Sequence, residues 1–177
     1  MYFDIETTGL DISKDHIVTI QIKDGYGKKV WCRRDYRTES ELIKQFVDYY
    51  LEVDDKFLIG FNITNFDLPF LFTRIAKEDL AGFFNKYNKG YVRDLATILE
   101  FHKIKRQKLE NVARIYRIDV GSIEEIDVKE LHENGDWNGI IAYAKNELDV
   151  IEQLFRKMWN QITRDGHLSF TSQSIKY

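Results

Sequence analysis

The chain has 177 residues, 26 Lys and Arg against 29 Asp and Glu, a formal net charge of −3, and 44% hydrophobic and 14% aromatic residues. Such a length and apolar share suit one folded domain, burying about two-thirds of the surface its unfolded chain exposes, and exclude a disordered polypeptide. Cys32 is the only cysteine, which excludes an intramolecular disulfide and a cysteine-rich zinc centre, and no run is long and apolar enough to span a membrane.

The first residues carry no basic segment followed by an apolar run, so the expectation is an intracellular protein, cytoplasmic or nucleoid-associated, with no membrane partner. The slight acidity argues against a wholesale nucleic-acid binder, unless several of the acids hold cations and reverse the local sign.

Residues 1–5 read as a short strand, and Glu6-Thr-Thr-Gly9 breaks the pattern. Alternate side chains of a strand share a face, so Asp4 and Glu6 point one way while Phe3 and Ile5 point the other. Two carboxylates so close repel, and one holds a proton unless a cation lies between them; a hard divalent ion removes that penalty. Read alone, the pair is also an edge strand with two solvated acids.

Residues 16–23 alternate, with Ile17, Thr19 and Gln21 on one face and Val18, Ile20 and Ile22 on the other, a β-branched strand. Turn chemistry at 24–28 leads to a returning strand at 29–33, a hairpin. Thr38-Glu-Ser-Glu41 is a capping-box signature opening a helix with Leu42, Ile43, Phe46, Val47, Tyr50 and Leu51 on one stripe. The apolar run at 56–61 reads as a buried central strand beside the first.

After that strand comes Gly60-Phe-Asn-Ile-Thr-Asn-Phe-Asp-Leu-Pro-Phe-Leu71. Asp67 lies where a loop turns into a helix, with Pro69 in the first turn, a position that suits an N-cap. It also follows the C-terminal end of a buried strand, where open α/β sheets place ligands. Both readings are compatible. Residues 77–88 and 95–102 read as helices separated by Gly90 and Asp94, and 101–108 is the most basic run, fit for a phosphate backbone or simply a solvated loop. Residues 109–116 read as a further helix, with Leu109, Val112, Ala113 and Tyr116 inward, and 119–127 as irregular.

The longest helical pattern is 138–159, with Ile141, Ala144, Leu148, Ile151, Phe155 and Met158 as its core stripe. Tyr143 and Glu147, four apart, share a face. Asp149 falls on nearly the opposite side, so helix geometry selects Glu147 as the acid that reaches inward beside the tyrosine.

These stretches, in this order, resemble the tyrosine-type 3′–5′ exonuclease domains of the DEDD superfamily. Phe3-Asp-Ile-Glu-Thr7 is similar to the first exonuclease motif, Asn62-Ile-Thr-Asn-Phe-Asp-Leu-Pro-Phe70 to the second motif of family B DNA polymerases, and Tyr143-Ala-Lys-Asn-Glu-Leu-Asp-Val150 to the third. The third departs from its usual form, since Glu147 stands where the family has Asp.

The resemblance implies an α/β, ribonuclease-H-like mixed sheet flanked by helices over 1–160, with 161–177 as a packed or disordered tail. It implies two Mg²⁺ or Mn²⁺ ions held by Asp4, Glu6, Asp67 and Glu147, with Tyr143 orienting the attacking water and nucleoside 5′-monophosphates released from single-stranded DNA ends. It also implies that Thr7 and Leu10 touch the terminal nucleotide and that Asn62 and Phe66 line the strand's path. The chain stops after the third motif, so the expectation is a free-standing exonuclease; a subunit serving a polymerase or repair partner, or a fragment of a larger polymerase, are the alternatives. RNA trimming, endonucleolytic cutting on the same fold, and a catalytically weak nucleic-acid-binding module remain open.

Overall fold

The computed structural model describes residues 1–55, 57–78, 80–101, 107–121 and 127–164. Most of the basic run at 101–108, most of the stretch at 119–127, and residues 165–177 of the expected tail lie outside the described residues, as does Lys56.

The sheet grows from the first strand, β1 (Tyr2–Thr7), which extends past the expected break at Glu6. It pairs antiparallel with β2 (Ile17–Asp24), and β2 with β3 (Gly27–Cys32). Its other edge pairs in parallel with β4 (Phe57–Gly60), which in turn pairs in parallel with β5 (Tyr91–Asp94). The result is a mixed five-stranded sheet in the order β3-β2-β1-β4-β5, as the α/β expectation required. Gly60 permits the close approach of β4 to β1: a Cβ there would lie 2.6 Å from the carbonyl oxygen of Phe3 and 2.4 Å from Ile63.

The helices are α1 (Glu39–Glu52), α2 (Asp67–Lys77), α3 (Ala81–Tyr87), α4 (Leu95–Phe101), α5 (Leu109–Ile115), α6 (Val128–Glu133) and the long α7 (Trp137–Arg164). Thr38 caps α1 by accepting from the Glu41 N–H at 3.1 Å, as the capping signature dictates. Phe3 and Ile5 point into an apolar layer that α1, α2 and α3 close with Leu42, Ile43, Phe46, Phe70, Leu71, Ile75 and Phe83. The opposite face, to which Tyr2 belongs, is closed by α4, α5 and α7 through Leu95, Leu99, Val112, Ile151 and Leu154. Among the described residues no helix is long and apolar enough to cross a membrane.

Several expectations need correcting. The pattern at 77–88 is two pieces: α2 ends at Lys77 and α3 begins at Ala81. The segment between Gly90 and Asp94 is the strand β5, too short at four residues to show alternation. α6 was not anticipated. Leu51 is 41% exposed rather than part of the α1 stripe. On α7 Ile140 is buried in place of Ile141, and Ile141 and Phe155 are half-buried. In β2 the register shifts so that Glu6 faces Thr19 and Thr7 faces Ile17. Val18 is thus the extra residue of a bulge, and Ile17 joins the core of Ile20 and Ile22 instead of lying with Thr19 and Gln21.

Candidate active site

β1 lies at the sheet's switch point, with antiparallel strands on one side and parallel strands on the other. Its carboxyl end is therefore where crossing loops diverge and leave a crevice. Strand alternation sends Asp4 and Glu6 toward α7, and the i,i+4 spacing on α7 brings Tyr143 and Glu147 onto the facing side. Asp4, Glu6 and Glu147 each offer an oxygen, all lying within 4.8 Å of one another. Glu6 is 8% exposed, and Asp4 and Glu147 are half-buried. Tyr143 lies beside Glu147, close enough for the carboxylate charge to act on its phenol.

Asp67 is the first residue of α2 and 3% exposed. It is not the N-cap; Phe66 holds that place and makes no side-chain capping bond. The Asp67 carboxylate instead accepts the N–H of Ile5 at 3.0 Å. β4 pairs with β1 only near Tyr2, so farther along this edge of β1 the carboxylate accepts an N–H where no strand pairs. Held there, Asp67 lies near enough to Asp4 for the two like charges to act on each other.

Burial and like charge dominate the electrostatics. Asp4 is pushed well above the usual carboxylate range by burial and then by the charge of Glu147, and Glu6 by burial, Glu147 and Asp4. Asp67 is raised by burial and by Asp4, and Glu147 chiefly by burial. Burial, Glu147 and Glu6 push the Tyr143 phenol far upward, so it stays protonated at ordinary pH. Four acids crowded into partial burial, offering only oxygens, fit hard divalent cations.

Asp149, two residues beyond Glu147, does not turn to this cluster. Its carboxylate accepts from Lys23 at 2.7 Å and Lys28 at 2.5 Å, and Glu152 also pairs with Lys23. Thr7 is half-buried and donates to the carbonyl of Gly9 at 2.7 Å. Leu10 stands 82% exposed in the loop after β1. Asn62 has φ of 61°, and Phe66 is half-buried with its ring 5.6 Å from that of Phe70.

Two further groups were not read from the sequence. Gln21, grouped on one face of β2 with Ile17 and Thr19 but given no role, donates to Asp4 Oδ2 at 2.6 Å and Glu6 Oε1 at 2.9 Å. Asp94, read as a helix break, is buried and accepts from the Asn62 and Thr64 N–H groups, the Thr64 hydroxyl and the Ala96 N–H. It ties the loop leading to Asp67 onto β5 and supports the first turn of α4 as well. An acid directly before a helical pattern was the available signal for Asp94; for Gln21 there was none without the β1–β2 register.

A family model described as RNase_H superfamily matches residues 1–159. No curated protein matches the chain. Among solved structures it is similar to the family B DNA polymerase from the hyperthermophilic archaeon Pyrobaculum calidifontis, with a TM-score of 0.65 and 20% identity. That likeness, one of fold, covers 92% of this chain and 24% of the polymerase.

Proposed function

The chain belongs to the RNase H superfamily, a nuclease fold, and on that premise we propose that it is a 3′–5′ exonuclease acting on single-stranded DNA ends. The observation that carries the reading is the convergence of Asp4, Glu6 and Glu147 within 4.8 Å, with Asp67 against Asp4 and Tyr143 against Glu147. These four carboxylates would hold two Mg²⁺ or Mn²⁺ ions. Bound there, the ions supply the Lewis acidity that readies water for attack and the positive charge that stabilises the departing oxygen.

The side chains do the rest. The Tyr143 hydroxyl, beside Glu147 and kept protonated, would be a hydrogen-bonding guide for the attacking water rather than a base. Water adds to the terminal phosphorus, the bond from phosphorus to the 3′-oxygen breaks, and a nucleoside 5′-monophosphate leaves behind a strand one residue shorter. Thr7 and Leu10 at the end of β1 would bracket the terminal nucleotide, while Asn62 and Phe66 would border the incoming strand. The polymerase's nucleotide-adding activity is not carried over to this chain.

The test is digestion of 5′-labelled single-stranded DNA and RNA of one sequence with Mg²⁺ or Mn²⁺. The expected result is a ladder shortening from the 3′ end, formed on DNA in preference to RNA and more slowly at duplex ends. Internal fragments from a circular single strand would overturn the exonuclease reading, and absence of any cleavage would leave a binding module.

A further inference from the structure

Gln21 and Thr19 are both fully buried on the α7 side of β2. Gln21 lies directly across the ladder from Asp4, and Thr19 from Glu6. A Gln carboxamide has one donor end and one acceptor end, and an ionised carboxylate accepts only. Here the donor end reaches both acids, at 2.6 Å and 2.9 Å, while the Thr19 hydroxyl donates to the acceptor end at 2.7 Å. A flipped amide would set its oxygen against two carboxylates, so the acids select the orientation and the Thr19 hydroxyl, donating to the amide oxygen, holds it. Buried strand positions are ordinarily filled by apolar side chains, and Leu has nearly the volume of Gln. The polar pair is therefore explained by what it touches, and it touches the acidic cluster.

We propose that Gln21, held by Thr19, is a positioning residue that fixes the carboxylate planes of Asp4 and Glu6 for cation binding. This rests on the metal-dependent reading above. With one oxygen of each acid tied to the same amide, neither side chain can swing away from its neighbour to relieve repulsion. The two acids stay convergent before any cation arrives. The bulge at Val18 contributes to this arrangement, because it keeps Thr19 opposite Glu6 while Ile17 turns into the core.

The experiment is calorimetric Mn²⁺ titration of wild type, Gln21→Leu and Thr19→Val, with circular dichroism melts in EDTA to establish that each variant is folded. Removing a group that orients metal ligands typically weakens affinity about 10–100-fold, and that is the loss expected for folded Gln21→Leu. Thr19→Val should weaken Mn²⁺ binding less, in the same direction, because the amide survives but loses its lock. In cleavage assays both variants should lose kcat with little change in the KM for DNA. Wild-type Mn²⁺ affinity in folded Gln21→Leu would overturn the proposal; should that variant not fold, unchanged affinity in Thr19→Val would overturn it. Failure of the wild type to bind Mn²⁺ would sink the metal reading itself, a different outcome from equal binding by all three proteins.

Discussion

The N–H of Ile5 and the carboxylate of Asp67, 62 residues apart in sequence, meet at 3.0 Å. The bond joins the strand bearing Asp4 and Glu6 to the helix that starts with Asp67, so the two acidic stretches are placed by one contact. It also partly offsets the burial of Asp67, since an N–H donor favours the ionised form.

Asp4→Ala should abolish cleavage, lowering turnover by roughly 10²–10³-fold or more, the loss typical when a key electrostatic group is removed. Its metal-free melting temperature should be unchanged or raised, because one charge leaves a crowded anionic cluster. Asp67→Ala should be equally inactive but less stable than Asp4→Ala, because it also orphans the buried Ile5 N–H, at about 1–3 kcal/mol. Gel assays and thermal melts in EDTA check both. Wild-type activity in Asp4→Ala would remove the basis of the metal site.

At the third motif, Glu147→Ala should cripple cleavage far more than Asp149→Ala, since Asp149 is engaged by Lys23 and Lys28. Glu147→Asp should keep part of the activity and shift the balance between Mg²⁺ and Mn²⁺, because Mg²⁺ demands near-ideal octahedral geometry. Tyr143→Phe should lower turnover without comparable loss of Mn²⁺ affinity. A dead Asp149→Ala beside an active Glu147→Ala would show that the register is wrong.

Without metal, stability should respond to pH in an unusual direction. Asp4, Glu6, Asp67 and Glu147 hold their protons above the ordinary values of 3.8 for Asp and 4.5 for Glu. The folded chain thus binds protons that the unfolded chain has already released, and their contribution to stability falls as pH rises from those values through the raised ones. Asp149 and Glu152, partly buried but lowered by Lys23, act oppositely, and their contribution is lost on acidification below the ordinary range. Melts in EDTA should therefore show stability rising as pH is lowered toward, but not into, the ordinary carboxylate range. Saturating Mn²⁺ should flatten that slope. A flat profile in EDTA would contradict the raised proton affinity of the four acids.

The ion network of Lys23, Lys28, Asp149 and Glu152 anchors α7 to the β2–β3 hairpin. Replacing both lysines by Ala should cost about 1–2 kcal/mol, the sum of several partly exposed pairs. Because the same helix carries Glu147, the variant should also lose turnover at saturating DNA, and salt should produce a milder form of that loss in the wild type. Urea unfolding and kcat measured against ionic strength test the two effects.

Long periodic elements were legible because their signals are local. Period two on β1 put Asp4 and Glu6 on one face and four-residue spacing on α7 did the same for Tyr143 and Glu147, while the meeting of the two pairs came from the family resemblance. What stayed hidden depends on register or on very short segments. β5 offers four residues with little alternation, and the bulge at Val18 reverses the face of Ile17 without any Gly or Pro to announce it. Asp67 looked like a cap because its local sequence permits one, and only the end of β1–β4 pairing reveals the distant N–H that takes its carboxylate. Gln21 has meaning only once Asp4 is known to lie across from it.

Asp94 fastens the loop ahead of Asp67 to β5, an edge strand of the sheet. Outer strands open at lower free energy than central ones, on timescales that hydrogen exchange can follow. An excursion of β5 would release Asn62 and Thr64 and loosen the approach to α2 while β1, β2 and α7 stayed packed. Thermal inactivation would then precede unfolding, with the amides of β5 and of Asn62 and Thr64 exchanging together as one cooperative unit.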